Sequence, residues 1–409
     1  MWTNMMPRAR SYFCVFNILL AGLSFAADSI DDEKKVPAPN ESYYAFGGIP
    51  ALNYSSDAGF GFGVITSIYK KTPILQPYKF AVDLQLFMTT KGQHSHYIRT
   101  DILNVAKLPL RIRSRVGLLA TTNENFCGFG VSANCDASIA HQYFLYRYFE
   151  VYGTIDGRYK LKDAPHKIEL IAGWRGSYYW PGTWGDYTSY SDTLYAKNFL
   201  EDKRKGFASV VEAGVMFDGR DNEPSPTKGY WIEATFRESS PYWGSSWSYL
   251  GFNLSLRGYL PLDSQRRLVL AGQAIFDGMV GEAPLQEIVK VGGSLLQTAY
   301  GGSEIGRGVR SLYFPGRIKV IKQLEMRYRF WGFDFLKQHF DTSAVTFLDL
   351  GVISWDLKEL EKNEFKPLLG FGGGFRVAWN EAFIIRLDLG FSPIESYVPR
   401  FYLKIGNVF

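Results

Sequence analysis

The chain has 409 residues, a formal net charge of +5 and a mean hydropathy close to zero. A charge this small, with no basic run, argues against nucleic acid as a partner. Beyond residue 26 no apolar stretch approaches the roughly 20 residues that a membrane helix needs, yet 16% of residues are aromatic and 41 are glycine.

The first element in chain order is a secretory signal over residues 1–26. Arg8 and Arg10 precede an apolar run from Tyr12 to Leu23, and Ser24-Phe25-Ala26 supplies the small residues of a cleavage site before Ala27. Cys14 lies within the run without a lipoprotein pattern, so no lipid anchor is expected. A short polar periplasmic segment, 27–42, follows. From Tyr43 to the end the chain reads as one domain, 43–409, built of alternating segments. Sixteen are predicted, over about 43–54, 57–69, 78–90, 95–106, 109–121, 147–160, 166–179, 206–218, 229–239, 246–260, 266–280, 318–331, 343–354, 365–379, 382–392 and 400–409.

The two faces of these segments differ in kind. In the twelfth, Leu324, Met326, Tyr328 and Phe330 oppose Glu325, Arg327 and Arg329. In the fifteenth, Ile385, Leu387, Leu389 and Phe391 oppose Arg386 and Asp388. The last places Phe401, Leu403, Ile405 and Phe409 on one face and Tyr402, Lys404 and Gly406 on the other. A charged face opposite an unbroken apolar one suits a wall between lipid and a wet lumen, whereas a soluble sandwich turns its apolar face inward. The expected fold is all-β, a sixteen-stranded antiparallel transmembrane barrel.

Connection lengths agree. Numbered from the first strand, the odd gaps include the three longest, near 122–146, 180–205 and 281–317, and the even gaps are shorter. Long loops on one side and short turns on the other fit an outer-membrane barrel with both termini periplasmic. An even number of strands lets the first and last close antiparallel, which removes the sheet edges.

Cys127 and Cys135, an even pair in an exported chain, suggest a disulfide around a small turn-like loop. Their spacing is not that of a zinc site, and neither metal nor cofactor is expected. Gly59-Phe60-Gly61-Phe62-Gly63 and Gly370-Phe371-Gly372-Gly373-Gly374 lack the following helix that a phosphate loop requires. His94 and His96 have no third ligand in view, and the five histidines form no Ser/His/acid set, so no enzyme is expected.

Three stretches carry a resemblance. The first is Phe217-Asp218-Gly219-Arg220-Asp221-Asn222 with Pro224 and Pro226-Thr227-Lys228-Gly229-Tyr230. The second is Gly292-Gly293 leading to Gly306-Arg307-Gly308-Val309 and Leu324-Glu325-Met326-Arg327. The third is Phe347-Leu348-Asp349-Leu350-Gly351. With the terminal Phe409, which reads as a C-terminal barrel signal, they resemble the barrel of the BamA/TamA superfamily, also called the bacterial surface antigen family, from roughly Tyr43 onward. The form expected here lacks the periplasmic POTRA domains, since only 27–42 precedes the barrel.

The resemblance implies a periplasmic turn carrying Asp218, Arg220, Asp221 and Gly229. The residues themselves read as a plain turn rich in Asp, Gly, Asn and Pro, with Asx-turn chemistry explaining the aspartates better than a metal does. It also implies that the loop from Gly281 to Arg317 folds into the lumen, with Arg307 and Gly308 at its tip meeting carboxylates of the inner wall. Asp349 matches the family's wall carboxylate, and alternation turns both Asp349 and Glu325 inward. Val309 departs from the usual Phe or Tyr, which puts a stacking contact in doubt. On the residues alone, Arg307 as a solvated loop arginine, with Asp349 paired to Arg386 or Arg327, stays open.

The function implied is assembly or insertion of outer-membrane proteins, or protein translocation. A seam between the first and last strands would open laterally. Expected partners are outer-membrane lipids, client outer-membrane or exported proteins, and a separate periplasmic partner in place of the missing domains. The alternative is a passive pore or structural barrel.

Overall fold

The computed structural model describes residues 42–73, 78–130, 133–135, 138–162, 166–181, 193–198, 205–294, 297–298, 300–311, 314–335, 338–362, 367–379 and 383–409. The expected signal sequence, and the 27–42 segment except Ser42, lie outside them.

Sixteen strands close into one antiparallel barrel, each paired with its neighbours in chain order and the last with the first. They are β1 (Tyr43–Ser55), β2 (Gly59–Lys71), β3 (Phe80–Thr89), β4 (His94–Ile102), β5 (Leu110–Asn125), β6 (Leu145–Lys162), β7 (Lys167–Pro181) and β8 (Gly206–Asp218). The second half comprises β9 (Gly229–Ser239), β10 (Ser248–Pro261), β11 (Leu268–Glu282), β12 (Ile318–Phe335), β13 (Gln338–Ser354), β14 (Pro367–Trp379), β15 (Phe383–Phe391) and β16 (Arg400–Ile405). Among the described residues no helix is long and apolar enough to cross a membrane.

The period of two dictates the wall. On β10, Leu250, Phe252 and Leu256 are exposed on the outside while Asn253, Ser255 and Arg257 are buried inside. Its ladder with β11 runs unbroken from Ser248 opposite Glu282 to Pro261 opposite Val269, so the inward row of β11 (Gln273, Asp277) is fixed by the same register. Outward apolar side chains suit a lipid surround, and the ladders satisfy most of the backbone donors and acceptors that lipid would not.

Long connections gather at one end of the barrel, here the loop end. The connections after the even-numbered strands, the first residue of β1 and residues 406–409 lie at the other, the turn end. The connection after β5 holds Cys127 and Cys135, joined as a disulfide with Cα atoms 4.9 Å apart. It packs over the loop that follows β11: Cys127, Ala133 and Phe144 share a buried apolar cluster with Val291, Tyr300, Ile305, Val309 and Phe314. A second cluster joins Phe126, Tyr146, Tyr148, Tyr179 and Tyr195 to Leu285 and Val289. At the loop end an apolar dome therefore packs against inward apolar residues of the wall, Ile275, Ile321, Ile353 and Leu368 among them.

The structure differs from the sequence expectation at the ends of several strands. β5 and β6 extend toward the dome, and the β12–β13 hairpin continues to Phe335 and Gln338. The largest difference is at the end of the chain. β16 stops at Ile405, and Gly406 adopts a left-handed φ of +91° that turns the backbone out of the wall. Phe409 is consequently not on the lipid face with Phe401 and Ile405. It lies buried inside with Val408 against Tyr259, Val269 and Ala271. Arg327 donates to its main-chain oxygen at 3.0 Å and faces its ring.

Candidate functional site

Two features of the barrel combine a built geometry with an incomplete ladder: the loop after β11, which enters the lumen, and the seam between β1 and β16.

The loop is held at two places. Near its start, a short helix, α1 (Leu285–Ile288), presents Glu287 to the wall. Glu287 accepts hydrogen bonds from the hydroxyls of Tyr179 at 2.6 Å and Tyr249 at 3.0 Å, and forms an ion pair with Arg175. Burial alone would raise its pKa, but Arg175, Lys290 and the two hydroxyls outweigh it and hold the carboxyl well below its usual value. Five residues on, the Gly292 N–H donates to Asp277 at 2.8 Å. The same carboxylate takes two bonds from Arg237, at 2.9 and 3.0 Å, and one from Lys319 at 3.0 Å. Ser294 follows, bonded to Glu233 through its N–H at 2.7 Å and through its hydroxyl. One flank of the loop is thus tied to the inner faces of β7, β9, β10 and β11.

The tip meets the next stretch of wall, β12, β13 and β15. Arg307 is fully buried. It makes a forked contact with Asp349, Nε to Oδ2 at 3.0 Å and Nη2 to Oδ1 at 2.9 Å, and its own N–H reaches Oδ2 at 2.9 Å. Nη1 donates to Glu325 at 2.6 Å and lies 3.5 Å from Asp388. Three carboxylates thus converge on one guanidinium, whose planar fork grips both oxygens of Asp349 and still reaches Glu325, which an ammonium cannot do in one plane. Arg327 and Arg376 balance the excess negative charge through Glu325 and Asp388. Arg386 does not take Asp349; it faces Asp388 and donates to the Ser303 carbonyl. The stacking that Val309 leaves open comes from the wall, since the Arg307 guanidinium lies 3.6 Å from the centre of the Phe347 ring. Phe347 shares the inward parity of Asp349, so that partner was already present in the sequence two residues away.

Close approach of backbone to backbone explains two glycines here. Gly308 has φ +97°, and a Cβ there would meet the Phe391 carbonyl oxygen at 2.5 Å. A Cβ on Gly370 of β14 would meet the Arg307 carbonyl oxygen at 2.1 Å, with no flexible side chain to yield. Gly370→Val should therefore lift the tip from the wall, at a cost of about 1–3 kcal/mol. Limited proteolysis of the folded barrel should then cut within 300–311, where the wild type resists; equal resistance would refute the packing argument.

The remaining sequence candidates lie elsewhere. Asp218 and Arg220 form a forked pair at the turn end, at 2.9 and 2.8 Å, and Asp221 caps the same turn through Thr227 and Lys228. Gly229 closes it at φ +109°. These contacts are all within the turn or to the neighbouring Arg266, and none reaches the lumen loop. Sequence reasoning missed Glu287, Asp277 and Glu233 as loop anchors. The only signal available was the inward parity of Asp277 and Glu233 on their strands.

The seam is short. β1 pairs with β2 along its whole length, from Tyr43 opposite Lys71 to Ser55 opposite Gly59. With β16 it pairs only through Tyr54 opposite Leu403 and Ser55 opposite Tyr402. The rest of this edge of β1, Tyr43 to Asn53, has no strand partner among the described residues. Pro50 within it has no backbone donor to offer.

A profile of the Omp85 superfamily domain matches residues 113–409. No curated protein matches the sequence. Among solved structures, BamA from Haemophilus ducreyi lacking POTRA domains 1-3 superposes with a TM-score of 0.56 at 14% identity, covering 89% of this chain and 70% of that one. CdiB from Escherichia coli superposes with a TM-score of 0.58 at 10% identity, covering 88% of this chain and 62% of that one. At such identities the likeness is one of fold.

Proposed function

The chain belongs to the Omp85 superfamily and is an outer-membrane protein, and we propose that within that membrane it assembles or translocates other proteins through the β1–β16 seam. The observation that supports this reading is the two-pair seam beside an edge of β1 that has no strand partner among the described residues. Backbone groups that face lipid without partners cost several kcal/mol each. An extended segment of a client would satisfy them by adding a strand, as peptides do at exposed sheet edges elsewhere. Such a step needs no catalytic residue, and the protein is read as a non-enzyme. Clients would be outer-membrane or exported proteins, delivered by a separate periplasmic partner.

The passive-pore reading is the weaker one, because the dome and the lumen loop occupy the space a solute would need. A depletion experiment separates the two. Depleting the protein should lower the amounts of other barrels across the outer membrane, and a photo-crosslinker at Gly47 on the free edge should capture client strands. An unchanged outer-membrane inventory, together with altered solute conductance, would overturn the assembly reading.

A further inference from the structure

The lumen loop touches both sides of the seam. On the β16 side, the Gly308 N–H donates to the Tyr402 hydroxyl at 3.2 Å, and Tyr402 is one of the two residues of β16 paired with β1. Two residues further along the loop, Arg310 grips Glu395 of the β15–β16 connection, through its N–H at 3.2 Å and its Nε at 3.1 Å. On the β1 side, the Ser311 N–H reaches Asp57 of the β1–β2 turn at 3.4 Å. Arg400, the first residue of β16, joins the two sides directly: Nη1 to Asp57 at 3.0 Å and Nη2 to Glu395 at 3.1 Å. Glu395 is thus a single carboxylate shared by a loop arginine and a strand arginine.

This cluster sits at the loop end of the seam, beside the two backbone pairs that close it among the described residues. Charge-assisted hydrogen bonds are roughly twice as strong as neutral ones. The side chains of Asp57, Arg400 and Glu395 are nearly buried, so salt screens them little. Closure at this end therefore depends more on the side-chain network than on the ladder, and the network includes the loop.

We propose that the lumen loop latches the seam from inside: docked, its Gly308–Ser311 segment holds the β1–β2 turn to β16 through Glu395, Asp57 and Tyr402, and its release frees the loop end of the seam. The proposal rests on the reading that the seam is the working element, and names what regulates it. It makes Arg310 a positioning residue, which acts on the strands through Glu395. Undocking and opening become one event, so a client or partner that displaces the loop opens the seam without touching it.

The test reads distance rather than activity. Spin labels on Tyr54→Cys and Leu403→Cys report the loop end of the seam, and labels on Phe46→Cys and Ile68→Cys, opposite each other on β1 and β2, report the turn end as a control, in the whole protein in lipid bilayers. The doubly labelled protein should give one short Tyr54–Leu403 distance. Arg310→Gln should lose that population to a broad, longer one while leaving the turn-end distribution unchanged. Arg310 is partly exposed, and Arg400 still neutralises Glu395, so this variant should fold. Glu395→Gln supplies a second, isosteric route to the same loss, and combining the two should add nothing. If the folded Arg310→Gln and Glu395→Gln proteins both keep the short distance, the latch is wrong. Failure of the assembly reading would look different: the seam would still open in these variants, yet no client would be captured at Gly47.

Discussion

Arg307→Ala is expected to remove the heat resistance of the folded barrel. The side chain has no solvent exposure, and it is the shared partner of Asp349, Glu325 and Asp388. Taking it away leaves carboxylates in a site that water reaches poorly. Breaking a buried ion pair from one side costs about 3–5 kcal/mol, a large share of the 5–15 kcal/mol that stabilises a typical domain. Loss of the Phe347 stack adds to this. Arg307→Lys should recover little, since an ammonium cannot bond both oxygens of Asp349 and Glu325 from one plane. The measurement is the temperature at which the compact, fast-migrating form disappears on a gel in mild detergent. A transition unchanged from the wild type, with the loop still protected from protease, would show that the three carboxylates do not depend on this arginine.

Asp277→Ala should be comparably severe and act on the other flank of the loop. Asp277 is fully buried and accepts from Arg237, Lys319, Asn253 and the Gly292 N–H. The alanine variant strands two cations in the wall and frees the loop backbone at Gly292, for about 3–5 kcal/mol. Asp277→Asn keeps an acceptor and most of the shape, so it should fall between wild type and alanine. Thermal unfolding followed by circular dichroism in detergent ranks the three, and an asparagine variant as unstable as alanine would mean that charge, not shape, is what the site requires.

The strands were legible because a lipid-facing wall imposes one strict rule, alternation, on every residue. That rule alone puts Asp349 and Glu325 inside and Leu348 and Leu324 outside. The Arg307 contact became legible when alternation met a short Arg-Gly motif. The anchors at Glu287, Asp277 and Glu233 did not. They depend on the path of a loop whose glycines leave its backbone unconstrained, and inward parity says that a carboxylate faces the lumen but not what meets it. Phe409 departs from alternation for a related reason: one positive φ at Gly406 ends the strand before it. The clasp around Glu395 joins residues from three separate connections, and no local pattern links Asp57, Arg310 and Arg400.

The brevity of β16 has a consequence for the surrounding lipid. Its six residues reach about 20 Å along the strand, or about 14 Å of depth at the roughly 45° tilt usual for such walls. The apolar band of an outer-membrane barrel is about 25 Å tall. Hydrocarbon chains beside the seam would therefore meet too little apolar wall toward the turn end and shorten or tilt to match it, at a cost of fractions of a kcal/mol for each Å. The bilayer would be thinnest beside this strand, the shortest of the wall, and a polar hairpin crossing there would have less oil to traverse than beside the longer strands.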